Sequence, residues 1–272
     1  MVRDIITIFC ICDDYLKSVG HEDNKQARMK TSEILTTAIV GAKFFGGNYQ
    51  KSRMFLVSHG YIHSILSESR FIRRLHMIDN TILRGIFSVM ASMFKAINSD
   101  NVYAIDSFPI PVCSNVRIWK CKVYESKEYM GYSAVRKDHF FGVRVHMLVT
   151  KSGAPVEFVI EPGSLSDITV ARSFAFDIPK KSIIHADRGY TDYAFEDYLQ
   201  LQRQLDFRPR RKKNAKRKDT GMCTKTRRIV ETAFSSITRN FSKKIHAVTA
   251  HGFELKILMF IFAYSIKFVV AT

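Results

Sequence analysis

A short apolar segment at residues 182–190 ends on an aspartate, an arginine and a glycine. Ile183 and Ile184 are β-branched and predict a buried strand, and Gly189 marks a sharp turn out of it. Asp187 is therefore expected at the carboxyl end of a core strand. Ligands bind at that end of open α/β sheets, because the strand fixes the position and the following loop leaves room. An isolated Asp-Arg-Gly turn is also typical of a solvated strand end.

A second strand of the same kind lies upstream. Residues 101–109 change from a helical to an extended pattern and carry Asp106, and we expect Pro109 and Pro111 to end that strand. Downstream, the apolar positions of residues 226–238 repeat at helical spacing, and Glu231 lies on another face of that helix. The alternative for this glutamate is a simple ion pair with the arginine four residues before it.

The pattern of elements predicts an α/β fold. Residues 140–150 and 156–161 alternate as two strands around a turn, and a helix, the Asp187 strand and another helix follow. The first three strands are then antiparallel, and the strands of Asp106 and Asp187 can lie side by side in one mixed sheet with flanking helices. Residues 1–98 repeat apolar positions at helical spacing and predict a helical region before the sheet.

The chain is strongly basic, with 42 Lys and Arg against 25 Asp and Glu and a net charge of +17. This charge predicts a polyanionic partner, nucleic acid before an anionic membrane. Residues 203–228 contain twelve Lys or Arg and two Asp, which predicts one basic loop that meets phosphates, or else a localisation or solubility tract. The DNA-binding residues predicted in and beside this loop are Arg210, Arg211, Lys212, Lys213, Lys216, Arg217, Lys218, Arg227 and Arg228.

A second basic stretch, residues 112–138, has tyrosines among its cations. This interleaving suits a loop over nucleic acid, and an ordinary exposed insertion explains it equally well. The residues concerned are Tyr124, Tyr129 and Tyr132 with Lys120, Lys122, Lys127, Arg136 and Lys137. Because we find no signal-peptide pattern, and because the apolar run at 257–270 is too short to cross a bilayer, we expect a cytoplasmic protein without a membrane partner.

Two strand-end aspartates and a helical glutamate are the residues that two-metal phosphodiester chemistry needs. Two Mg²⁺ ions about 3.5 to 4 Å apart require carboxylates on a rigid support. We therefore predict Asp106, Asp187 and Glu231 as catalytic residues and metal ligands for two Mg²⁺ ions, with Mn²⁺ as a substitute. Other acids, including Asp167 and Asp192, lie at helix starts, where capping explains them.

These stretches resemble bacterial insertion-sequence transposases of the DDE class, most closely the insertion-sequence 982 family. The resemblance covers nearly the whole chain and is carried by residues 105–109, residues 185–190, Arg227-x3-Glu231, residues 5–10 and the region of Gly252 and Phe253. It departs from the tyrosine-arginine-glutamate-lysine signature of the wider group at Thr224 and Thr238, the latter followed by Arg239.

The resemblance implies a ribonuclease-H-like core with Asp106, Asp187 and Glu231 as metal ligands, and Arg227 in contact with DNA or with the glutamate. It also implies cleavage at terminal inverted repeats of double-stranded DNA, joining of the 3′-hydroxyls to target DNA, and a dimer or larger assembly in the bacterial nucleoid. The domains would be 1–98 for DNA binding and assembly, 99–248 for catalysis, and 249–272 as a C-terminal helix packed on the core. A nuclease without joining and an inactive DNA-binding repressor remain alternatives.

Overall fold

The computed structural model describes residues 1–133, 137–212, 214–217, 232, 234–236, 238–239, 241 and 245–271. The chain divides into two compact units, Met1–Met90 with Arg239–Thr272, and Ala91–Thr238. Several residues of the predictions lie outside the described ranges, namely Arg136, Lys213, Lys218, Thr224, Arg227, Arg228 and Glu231.

The first unit is helical. Its helices are α1 (Val2–Ser18), α2 (Thr31–Phe44), α3 (Tyr49–Ser58), α4 (Glu68–His76), the start of α5 (Asn80–Ile97), and α8 (Ala250–Ala271). Helix α2 is buried along most of its length and contacts α1, α3, α4 and α8. Small residues make this possible, since a Cβ at Gly41 would lie only 3.3 Å from the ring of Tyr49 on α3. Helix α2 is therefore the centre of the unit.

Helix α8 corresponds to the C-terminal helix expected from the sequence. It packs on α1, α2 and α4 within the first unit. The functional division at residues 98 and 248 stays a prediction. Among the described helices, none combines the length and apolarity that crossing a membrane would need.

The second unit is built on a six-stranded mixed sheet. Its strands are β1 (Val102–Cys113), β2 (Met130–Ser133), β3 (Asp138–Thr150), β4 (Pro155–Pro162), β5 (Ile183–Ala186) and β6 (Asp206–Pro209). The order is β2-β3-β1-β5-β6, and β4 also pairs with β3. The pairs β1–β3, β2–β3 and β3–β4 are antiparallel, whereas β1–β5 and β5–β6 are parallel.

Two short helices flank β5 along the chain. Helix α6 (Asp167–Ala171) lies between β4 and β5, and α7 (Tyr193–Tyr198) lies between β5 and β6. Buried apolar residues such as Ile105, Val145 and Ile184 form the core of the sheet. The predicted α/β fold, a ribonuclease-H-like mixed sheet with flanking helices and a helical N-terminal region, is confirmed.

Strand β1 does not end at its prolines, so that expectation was wrong. It continues through Pro109 and Pro111, which lie opposite Arg144 and Gly142 of β3. On its other side β5 pairs with β1 only as far as Ile105, so among the described strands this part of β1 is an edge. An edge tolerates a residue that has no N–H to donate.

Strand β6 lies inside the run that the sequence presented as one basic loop. Phe207 and Pro209 are buried, and they alternate with Asp206 and Arg208 in the strand pattern. Arg208 donates to the Asp206 carboxylate through Nε at 2.8 Å, so its charge is neutralised within the strand. The high charge of residues 203–228 obscured the short alternation of buried and less buried residues that is typical of a strand.

Candidate active site

The parallel pairing of β1 with β5 brings Asp106 and Asp187 together. Ile105 and Ala186 are partners in register, and each aspartate is the next residue on its strand. Asp187 is exposed and begins the turn Arg188–Tyr190, whereas β1 continues past Asp106. Two of the three predicted site residues are therefore neighbours at the carboxyl end of β5.

The carboxyl group of Asp106 is in an unusual electrostatic setting. Burial raises its pKa to about 7, and the negative charges of Asp187 and Asp167 act in the same direction. The Ser107 N–H, which donates to Asp106 Oδ1 over 2.8 Å, and the Arg144 cation both oppose the rise. Such a perturbed carboxyl beside other carboxylates is typical of functional sites, and a bound cation would favour its ionised form.

Asp167 is a third carboxylate at this site, and its assignment to helix capping was wrong. The N-cap of α6 is Ser166, whose hydroxyl accepts a hydrogen bond from the Thr169 N–H. The Oδ1 atom of Asp167 instead accepts from the Ser107 hydroxyl over 3.0 Å and lies 3.6 Å from Arg144 Nη1. Burial raises the Asp167 pKa. The sequence contains one indication that Asp167 does not cap the helix. Ser166, directly before it, is itself a good N-cap residue.

Buried polar groups surround the Asp167 carboxylate. His146 on β3 lies 3.9 Å from Asp167 Oδ1, and its Nδ1 is 3.1 Å from the hydroxyl of Tyr190. Both rings are fully buried, and burial lowers the pKa of His146 to about 3, with Arg144 adding to the effect. A Cβ at Gly189 would lie 2.4 Å from Asp167 Oδ2, so the turn after β5 packs directly against this carboxylate.

The described carboxylates suit a hard divalent cation. Carboxylate oxygens and water are the usual ligands of Mg²⁺, and a bound cation would lower the raised pKa of Asp106. The described residues contain no group of three or more His, Cys, Asp or Glu arranged to hold a metal. Asp106 and Asp187 can thus supply two carboxylates, and the role of Glu231 stays a prediction.

Two arginines predicted to bind DNA have acidic partners on α7. Arg211 forms an ion pair with Glu196, and each side chain is only 7% exposed. Arg217 donates to both oxygens of Asp197, at 2.8 and 2.7 Å, and lies 3.3 Å from Glu196. Both guanidinium groups lie 4.9 Å from the ring centre of Tyr193. These contacts give both arginines a part in the fold, and their contact with DNA stays a prediction.

The other described cations of the loop are placed differently. The backbone N–H of Arg210 donates to the Ala186 carbonyl oxygen over 2.9 Å, one residue before Asp187. Lys212 and Lys216 are exposed. Arg210 in the basic loop therefore lies beside Asp106 and Asp187, which we call the acidic site, and exposed charges follow within a few residues.

The chain matches the family model described as the transposase DDE domain over residues 97–266, more than half of its length. Among solved structures it is similar to a piggyBac transposase synaptic complex with hairpin DNA, determined by cryo-EM, at 11% identity and a TM-score of 0.38. That similarity covers 78% of this chain and 52% of the other, so the chain spans about half the length of that protein. A likeness at this level carries no argument about activity. No curated protein matches the chain.

Proposed function

The chain belongs to the transposase DDE domain family, and from that premise we propose that it is a DNA transposase that cleaves its element's ends and joins the 3′-hydroxyls to target DNA. The observation that carries the proposal is the register of β1 and β5, which sets Asp106 beside Asp187. Cleavage and joining are both attacks on a phosphodiester, so one acidic site can serve both. Membership of the insertion-sequence 982 branch is part of the same proposal and rests on the motifs around these two aspartates.

Asp106, Asp187 and Glu231 would hold two Mg²⁺ ions, for which Mn²⁺ would substitute. When bound, such ions activate water or a 3′-hydroxyl and stabilise the leaving oxygen. The chain's own contribution is orientation, because the Ser107 N–H fixes one oxygen of Asp106 on the rigid strand β1. Arg144 lies beside Asp167 and offsets part of the negative charge that gathers there.

The basic loop is proposed to hold DNA phosphates at the acidic site. Within this loop the backbone N–H of Arg210 is hydrogen-bonded to Ala186, the residue before Asp187, and exposed Lys212 and Lys216 follow. Phosphate contacts of this kind provide affinity and position the duplex without reading its sequence. The DNA would be the terminal inverted repeats and the target, held by a dimer or larger assembly in the bacterial nucleoid.

A strand-transfer assay tests the proposal. The purified protein is incubated with Mg²⁺, a duplex carrying the element's end joined to flanking DNA, and a supercoiled plasmid target. We expect nicking at the end and a joined product, both lost in Asp187→Ala and both kept in Asp14→Ala, which removes an exposed carboxylate from α1.

Two other results would replace the proposal. Cleavage without any joined product would identify a nuclease that uses the same carboxylates. DNA that is shifted in a gel but left uncut by both the wild type and Asp187→Ala would identify a binding protein without catalysis.

A further inference from the structure

The only tryptophan of the chain lies on the surface of the second unit. Trp119 is 83% exposed and its neighbour Val116 is 82% exposed. Both belong to a short turn, Asn115–Lys120, that follows β1. Tryptophan is highly buried in most proteins, so an exposed one beside another exposed apolar residue is a candidate contact surface.

The turn holds the indole in a defined position. The Nε1–H of Trp119 donates to the Val116 carbonyl oxygen over 2.7 Å. The side-chain amide of Asn115 donates to the carbonyl oxygen of His139 over 2.7 Å, which ties the turn to β3. Because the ring is already oriented, less conformational freedom is lost when a ligand binds to it.

A cavity of about 380 Å³ adjoins the indole. This volume lies within the range of small-ligand sites. Its lining includes Trp119, Tyr124, Phe141 and Met130, together with the cations Lys120 and Lys122. Tyr124 and Phe141 are themselves buried, so the exposed indole of Trp119 and the two lysines are the groups of this cavity that a ligand would meet first.

The charge around Trp119 identifies the class of ligand. Residues 115–127, which we call the Trp119 segment, contain Arg117, Lys120, Lys122 and Lys127 against Glu125 alone. All four cations are exposed, and Lys120 Nζ lies 5.9 Å from the centre of the Trp119 ring. Aromatic faces among cations are the features with which proteins bind single-stranded nucleic acid, the rings stacking on bases and the cations neutralising phosphates.

The Trp119 segment is separate from Asp106 and Asp187. Strand β1 continues for seven residues from Asp106 to Cys113 before the Trp119 segment begins. At about 3.3 Å per residue this places the segment roughly 23 Å further along β1, the length of roughly seven base pairs. A DNA strand cut at Asp106 could thus reach Trp119 only several nucleotides away from the cut.

We propose that the Trp119 segment is a stacking site for an unpaired nucleotide of DNA. Bases in a duplex stack on one another, so the exposed indole can engage only a base that has left the helix. This proposal rests on the proposed function for its ligand, DNA. It concerns a surface separate from Asp106 and Asp187.

Intrinsic fluorescence gives a direct test, because the single tryptophan is the only source of the indole signal. The full chain, without metal, is titrated with oligothymidylate and with a blunt duplex, while anisotropy of a labelled DNA reports binding. We expect saturable quenching by oligothymidylate and a much smaller change with the blunt duplex. Trp119→Ala should weaken oligothymidylate binding about tenfold, the effect of one lost base stack, and Trp119→Phe should restore most of it.

Leu201→Ala is the matched control, because Leu201 is an exposed apolar residue of the same unit, at 76% exposure. Leu201→Ala should leave the affinities for oligothymidylate and for the blunt duplex unchanged. DNA binding with unchanged fluorescence and an unaffected Trp119→Ala variant would overturn the stacking site and leave the proposed transposase intact. Failure to bind any DNA would overturn both proposals. A change of fluorescence with protein concentration alone, matched by a change of mass in light scattering, would instead identify a self-association face.

Discussion

The hydroxyl of Ser107 donates a hydrogen bond to Asp167 over 3.0 Å. The backbone N–H of the same residue donates to Asp106 over 2.8 Å. Ser107 therefore joins a carboxylate of the predicted triad to one that lies 60 residues away on α6. Because Arg144 lies 3.6 Å from Asp167, the cation, the two carboxylates and the serine form one polar network beside Asp187.

Replacing Asp167 by asparagine removes a charge from this network and keeps its shape. We expect the Mg²⁺ concentration for half-maximal DNA cleavage to rise about tenfold, because residues that support metal ligands typically contribute tenfold to a hundredfold to affinity. Binding of Mn²⁺ measured by electron paramagnetic resonance without DNA should weaken by a similar factor.

Asp192→Asn is the control for that change, since Asp192 is the N-cap of α7 and accepts from the Phe195 N–H over 3.1 Å. Its metal affinity should match the wild type. If Asp167→Asn also left metal binding unchanged, Asp167 would have only a structural role.

Gly189 is expected to be intolerant of even one methyl group. An alanine Cβ at this position would lie 2.4 Å from Asp167 Oδ2, so the carboxylate would have to rotate away from Ser107. We expect Gly189→Ala to lower DNA cleavage about as much as Asp167→Ala does. The double variant Gly189→Ala with Asp167→Ala should be no worse than Asp167→Ala alone, because residues in contact do not contribute additively. Additive losses in cleavage rate would show that the two residues act separately.

The sequence was sufficient for those parts of the site that depend on local pattern. Asp106 and Asp187 follow β-branched or apolar runs, and the pairing of their strands follows from the order of elements. The Ser107–Asp167 bond joins residues 60 positions apart, so no local pattern contains it. The ion pair of Arg211 with Glu196 on α7 is a similar case, because it joins residues 15 positions apart.

The predictions were wrong for two strands, β1 and β6, in which the local sequence pattern was ambiguous. Proline normally ends a strand, and it is tolerated in β1 only because β5 stops at Ile105 and leaves that edge open among the described strands. The charged run at 203–228 concealed β6, whose two buried residues alternate with a neutralising Asp206–Arg208 pair. In both places, the neighbouring strand decided the outcome, and local propensity did not.

Burial of His146 is expected to make the fold sensitive to acid. Its folded-state pKa of about 3 lies below the ordinary value of 6.5, so the unfolded chain binds more protons between these values. Its contribution to stability is therefore complete above about pH 6.5 and is lost as the pH falls, by at most about 1.4 kcal/mol per pH unit.

Urea unfolding followed by circular dichroism, for the wild type and His146→Asn across this range, measures that contribution as a difference. The difference between the free energies of unfolding of the wild type and of His146→Asn should become smaller as the pH falls, because asparagine does not titrate. If this difference in free energy did not change with pH, the imidazole of His146 could not be both buried and neutral.

Arg211 and Lys212 are adjacent and were both predicted to bind DNA, and their surroundings separate their roles. Removing the Arg211 charge leaves Glu196 buried with Arg217 3.3 Å away, so Arg211→Gln should cost about 3 kcal/mol of unfolding free energy. Lys212 is exposed, so Lys212→Gln should change that free energy by less than about 0.5 kcal/mol.

For DNA binding we expect the opposite: Lys212→Gln should have the larger effect and Arg211→Gln the smaller one. Losing one phosphate contact at Lys212 should lower affinity for all duplexes and reduce the slope of log affinity against log salt by about 0.9. Arg211 already neutralises Glu196, so Arg211→Gln, measured where the variant remains folded, should leave that slope unchanged. Anisotropy titrations across a salt series give the slopes, and urea titrations give the stabilities. Equal slopes for Lys212→Gln and the wild type would remove the exposed part of this loop from the DNA interface, because a cation that meets a phosphate must release a counterion.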